Sequence, residues 1–195
     1  MLGVRSWALG RLPRNFVPGG IYHVYSRGSN KQAIFADDLD RFDFLNCVER
    51  VVRRFELLCL GYCLMPNHYH LIVQSLTGRI SAPMHALNGH YAFRFNRRHS
   101  RDAHLFKNRF GAVHQQSDGQ LLWTLCYLAR NPVDAGLCHA AEEWRWSSYR
   151  AMAGMVKAPE FLAVEKTLSF FGDESNKACA RYRELVELSL QRNGV

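Results

Sequence analysis

Paired cysteines, long apolar runs and acidic charge are all scarce in this chain of 195 residues, and each scarcity removes a class of protein. The six cysteines (Cys47, Cys59, Cys63, Cys126, Cys138 and Cys179) are scattered, with no C-x-x-C pair among them. They build neither a zinc-knuckle framework nor a redox motif, and read as buried thiols of a reducing cytosol. The longest stretch free of Asp, Glu, Lys and Arg runs from Leu57 to Gly78, and Pro66, Asn67, His68, His70 and Gln74 interrupt it. No membrane span is expected there. Arg5, Arg11 and Arg14 break the apolar core that a secretory signal needs. Against 25 Lys and Arg there are 17 Asp and Glu, so the formal net charge of +8 points to a polyanionic partner or, more blandly, to a basic solubilising surface.

What is present describes a packed globular protein. Nearly half of the chain is hydrophobic (48%), no segment is of low complexity, and the length fits one domain. No linker rich in Gly, Pro or Ser divides it, so residues 1–195 read as a single unit with a core over about 20–150 and a C-terminal helical extension over 151–195.

The local patterns give an element order. GIYHVYSRG, Gly20 to Gly28, is rich in β-branched and aromatic residues and reads as a strand. Asp37-Asp38 offers a cap to a helix whose apolar positions Leu39, Phe42, Leu45, Val48 and Val52 follow helical spacing. ELLCLGYCLM and HYHLIVQSL are strand-like runs joined by the turn-forming Pro66-Asn67, which makes a hairpin. Ser81 with Pro83 opens a helix to about Arg98, and a basic loop leads to a strand over Arg109 to Gln116. Asp118 caps a third helix expected to end near Asn131, because Pro132 disfavours the α conformation before it. Trp144, Trp146 and Tyr149 mark a short amphipathic segment, and Ser175 to Gln191 a last helix of uncertain position. This order suggests an α+β, ferredoxin-like antiparallel sheet with helices packed on one face.

Two features carry chemistry. His68 and His70 are two apart on a strand, so their side chains share a face and two imidazoles can hold one cation, whereas a helix would set them about 200° apart. An ordinary pair of half-buried histidines is the alternative. On the third helix Leu121, Leu122, Leu125, Leu128 and Ala129 form one arc, and Tyr127 falls on the opposite side with Asn131 one turn later beside it. That face, with Trp123 and Thr124, carries too few charges for open solvent, so it meets either a partner or another element of the chain. Asn131 is also readable as no more than the residue before a proline.

MPNHYHLIV, YLARNPVDAGL, RGSNKQAIFADDLDRFDFL and WRWSSYR together resemble the REP-associated tyrosine transposases, single-tyrosine relatives of the IS200-like transposases within the His-hydrophobic-His superfamily. The resemblance covers about Gly20 to Arg150. It implies a cytoplasmic enzyme that cuts single-stranded DNA beside imperfect hairpins and rejoins strands, with a divalent Mg2+ or Mn2+ cofactor and no small-molecule substrate. Carried over by position, Tyr127 is the nucleophile, forming a 5′-phosphotyrosine, and His68, His70 and Asn131 are the metal ligands. Tyr69, between the histidines, is larger than the plain hydrophobe the pattern names. The REP-associated branch also implies a self-contained monomer in preference to a homodimer. Arg27, Lys31, Arg94, Arg97, Arg98, Lys107 and Arg109 are candidate phosphate contacts, and Tyr22, Tyr25 or Phe106 candidate base stackers. His23 either lines the site or is a structural strand histidine. Two other readings stand beside this one: a hairpin-binding module of the same fold without cleavage, and a metal-dependent hydrolase in which water attacks.

Overall fold

The computed structural model describes residues 16–191, so Arg5, Arg11 and Arg14 lie outside the described residues. In chain order it contains β1 (Ile21–Arg27), α1 (Asp38–Arg54), β2 (Leu57–Met65), β3 (His68–Ser75), α2 (Ser81–Arg98), β4 (Gly111–His114), α3 (Asp118–Asp134), α4 (Tyr149–Met152), α5 (Val164–Leu168) and α6 (Ser175–Gln191). The four strands form one antiparallel sheet in the order β2-β3-β1-β4. This is the α+β arrangement of two interleaved strand-helix-strand units expected from the sequence.

One expectation needs correction: helices cover both faces of the sheet. α1 and α2 pack on the side that receives Tyr22, Val24, Tyr62, Leu64, Tyr69, Leu71 and Val73. α3 and α6 close the other side over Leu60, Cys63, Met65 and Ile72. β2 shows the cause, because its apolar residues run on without alternation and a strand apolar on both sides needs a cover on both. The C-terminal helix therefore packs against α3, with Tyr182 and Val186 buried between Tyr149, Phe171 and the helix.

The position of α1 differs in rotation from the expected stripe. Phe44, Cys47, Val48, Val51 and Val52 face the core, while Leu39 and Phe42 are exposed. Asp37 caps this helix by accepting from Asp40 N at 3.1 Å. Trp146 and Tyr149 are buried on the body, and Trp144 Nε1 donates to the Leu64 carbonyl at 3.1 Å. Cys47, Cys59, Cys63 and Cys126 are buried, Cys138 and Cys179 are half-buried, and all six are free thiols.

Candidate active site

The turn at Pro66-Asn67 presents β3 with His68 and His70 on the α3 side, their ring centroids 4.9 Å apart and their planes at 89°. Tyr69 points the other way, as strand alternation requires. It is fully buried against Phe44, and its hydroxyl donates to Asn88 Oδ1 at 2.7 Å. Register sets Arg27 of β1 opposite His68 and Tyr25 opposite His70. Asn67 Nδ2 donates to the Lys31 carbonyl at 3.1 Å, which turns its Oδ1 toward His68 Nδ1 at 2.7 Å. His23, left open between two roles by the sequence, lies in the site with Nε2 2.8 Å from His70 Nδ1. Parity was the available signal: His23, Tyr25 and Arg27 alternate along β1 as the two histidines do along β3.

α3 brings Tyr127 and Asn131 onto this patch. Its cap is Ser117, one residue before the expected Asp118, accepting from Gln120 N at 3.2 Å. The helix also passes through Pro132 to Asp134 instead of stopping at Asn131. A proline this near the C-terminus forfeits one backbone bond. The end is then closed by Gly136 at φ +67, with Gly136 N donating to Val133 O and Leu137 N to Pro132 O, both at 2.9 Å. Asn131 is thereby held inside the helix, 8% exposed, with Nδ2 3.4 Å from His70 Nε2. The Tyr127 ring is 5.6 Å from that of His70 and 6.2 Å from that of His23. Trp123, 61% exposed, stacks parallel to Tyr127 at 5.6 Å. The arc opposite the Leu121 stripe thus meets the polar patch of the sheet, and the Leu121 stripe itself belongs to the core shared with α6.

Electrostatics follow from enclosure. Burial pushes His68 down to about 4, with Arg27 adding to the effect, and pushes His23 down to about 4. His70, 6% exposed, is lowered well below the ordinary histidine value by burial and then by its two histidine neighbours. All three rings are neutral at pH 7, which is the ligating form of imidazole. Burial raises the Tyr127 phenol above its ordinary value, while Asn131 and Arg130 oppose the shift. A phenol so placed needs a cation beside it to act as a nucleophile at neutral pH. Two neutral imidazoles and an amide suit a divalent cation, Mn2+ more comfortably than Mg2+ on ligand chemistry. Among the described residues no three His, Cys, Asp or Glu side chains converge to hold an ion, and the polar side chain that faces His70 Nε2 is the Asn131 amide, at 3.4 Å.

The candidate phosphate contacts divide into two groups. Arg27, Lys31, Lys107 and Arg109 are exposed, and the first three lie around the His68 end of β1, where Lys107 N donates to the Arg27 carbonyl and Ser29 N to the Leu105 carbonyl, each at 2.9 Å. Arg94 and Arg98 sit on α2, on the other side of the sheet, in ion pairs with Asp43 and with Asp37 and Asp40 of α1 and its cap. Arg97 is exposed on that same helix. Of the three aromatics, Tyr22 is in the core and Phe106 packs against Tyr69 and Tyr91. Tyr25 alone lies at the site, 41% exposed and 6.2 Å from the His70 ring. Its ring occupies the space over Gly111, where a Cβ would sit 2.2 Å from it, so β4 needs glycine opposite Tyr25.

No curated protein matches the chain. Among solved structures, the fold is similar to a REP-associated tyrosine transposase bound to a REP hairpin, with a TM-score of 0.64, 14% identity, 80% of this chain covered and 92% of that one. A putative transposase from Deinococcus radiodurans aligns with a TM-score of 0.44 and 15% identity over 58% of this chain and 92% of its own. The tRNA(His) guanylyltransferase of Saccharomyces cerevisiae aligns with 0.47 and 12% over 91% and 82%. The family profile described as IS200-like transposase matches residues 17–131, an interval that includes His23, His68, His70, Tyr127 and Asn131. The chain belongs to the IS200-like transposase family.

Proposed function

We propose that the protein is a metal-dependent single-stranded DNA endonuclease and strand transferase acting beside REP-type hairpins, with Tyr127 as nucleophile. One observation carries the reading: a tyrosine and an asparagine one turn apart on α3 meet the histidine pair of β3 inside one chain. In that reading Tyr127 Oη attacks the scissile phosphorus, the new P–O bond forms as the bond to the 3′ oxygen breaks, and the phenolic proton goes to solvent. The departing 3′ oxygen takes up a proton, leaving a free 3′-hydroxyl and a 5′-phosphotyrosine. The ester conserves the phosphodiester energy, so a later 3′-hydroxyl can reverse the attack without ATP. His68, His70 and Asn131 would hold Mg2+ or Mn2+, which when bound supplies Lewis-acid polarisation of the phosphate and charge compensation for the leaving oxygen. Arg27, Lys31, Lys107 and Arg109 hold the strand by its phosphates, and Tyr25 and Trp123 offer faces to unpaired bases. Because the tyrosine meets its own chain's histidines, a monomer suffices for the chemistry.

The test is incubation of the protein with labelled hairpin oligonucleotides and Mn2+ or Mg2+, followed by denaturing electrophoresis. A chelator-sensitive covalent adduct that Tyr127→Phe abolishes supports the reading. Cleavage that survives Tyr127→Phe contradicts it in favour of water as nucleophile, and tight hairpin binding with no adduct contradicts it in favour of a binding module.

A further inference from the structure

We infer that His23 is the positioning residue of the metal site, fixing the tautomer and ring orientation of His70 so that His70 Nε2 carries the ligating lone pair. The inference rests on the metal-site reading above and goes beyond it by assigning a role to a residue outside the proposed ligand set.

The hydrogen-bond partners of the two histidines determine their protons. The Lys31 carbonyl can only accept, so the amide that faces it is Asn67 NH2, and the Asn67 oxygen faces His68 Nδ1. An amide oxygen also only accepts, so His68 Nδ1 bears the hydrogen and Nε2 bears the lone pair. At His70 the same result is reached from the other side. His70 Nε2 faces the Asn131 amide at 3.4 Å, on the side where the proposed ligands meet, so Nε2 is the nitrogen left for the cation, and Nδ1, 2.8 Å from His23 Nε2, is the one that holds its hydrogen. His23 accepts there and carries its own proton on Nδ1.

Asn67 and His23 thus do the same work for the two rings. Each holds Nδ1–H and leaves Nε2 available to a cation. Such outer partners orient metal-bound imidazoles and raise their basicity. A ligand role for His23 itself fits less well, because its Nε2 is occupied by His70 and no three ligating side chains of the His, Cys, Asp or Glu types converge among the described residues. Removal of His23 would leave the Nδ1 of a ring that is 6% exposed without its acceptor, free to take the other tautomer or turn over.

The experiment uses the full chain and Mn2+ alone, with affinity read by electron paramagnetic resonance of the free ion. His23→Leu removes the acceptor, and His23→Gln keeps one near the position of the imidazole Nε2. His23→Leu is expected to weaken Mn2+ binding on the order of 10- to 100-fold, the usual size for such partners, with His23→Gln restoring most of it. Hairpin affinity in the absence of metal is expected to be unchanged in both. If His23→Leu binds Mn2+ like wild type, or if both variants lose affinity equally, the positioning role is overturned. If wild type itself binds no Mn2+, or His68→Ala binds it unchanged, the metal-site reading fails and takes this inference with it. Should His23→Leu not fold, long-range nitrogen NMR of the metal-free wild type still decides: His68 and His70 as Nδ1–H tautomers support the role, and an Nε2–H tautomer at His70 overturns it.

Discussion

Along β3 the odd-numbered residues Tyr69, Leu71 and Val73 enter an apolar core under α1 and α2, while the even-numbered His68 and His70 stand in a polar patch under α3. The two sets are interleaved in sequence and separated by the thickness of one sheet. One strand therefore anchors the fold with one side chain and presents donors with the next. Rigidity at Tyr69 is inherited by both histidines, which is what a site that must hold ligands in fixed geometry requires. The same contrast extends to the cations: Arg94 and Arg98 on the α2 side are matched by Asp43, Asp37 and Asp40, whereas Arg27, Lys31 and Lys107 around the His68 end of β1 are exposed.

The largest expected effect lies on the α3 side. Tyr127→Phe and His70→Ala should each eliminate covalent capture of hairpin DNA on denaturing gels, with the melting temperature of Tyr127→Phe close to wild type. A substantial adduct in either variant breaks the assignment of chemistry to this side. Next in size is the opposite side, where Tyr69→Ala should cost about 3–5 kcal/mol in denaturant titration through the cavity it leaves. The conservative Tyr69→Phe should cost about 1 kcal/mol, the loss of one partly buried hydrogen bond to Asn88, and keep its cleavage rate. A Tyr69→Phe protein that folds and does not cleave would show that the two sides are not separate in function. The smallest effect concerns the cations. Lys107→Gln should lower the salt dependence of DNA binding by about one phosphate contact, whereas Arg94→Gln should leave it unchanged. Equal effects would erase the distinction between the exposed and the paired cations.

The convergence of His68, His70, Tyr127 and Asn131 was legible because strand parity and helix angle are local rules. H-x-H on a strand has one geometry, and Tyr127 with Asn131 one turn later on a helix has one as well. The sheet order followed from the succession of elements. Three things were not local. The cover on the second face was written in the unbroken apolar run of β2, which the succession of elements alone does not reveal. The passage of α3 through Pro132 depended on Gly136 four residues on, whose left-handed conformation closes the helix beyond the proline. The pairing of Arg94 and Arg98 with carboxylates more than 50 residues earlier in the chain required the packing of α2 on α1. His23 stands between these cases: its parity on β1 was visible, but its partner on β3 was fixed only by the register between the strands.

A peptide map of the covalent complex tests Tyr127 as the nucleophile. Trypsin should release Tyr127 in the fragment spanning residues 110–130, in which it is the only tyrosine. After incubation with hairpin DNA and Mn2+, nuclease trimming and mass spectrometry, a phosphonucleotide is expected on Tyr127 of that fragment, absent when chelator is added first. A nucleotide attached to another residue, or a Tyr127 adduct that forms equally well in chelator, would contradict it.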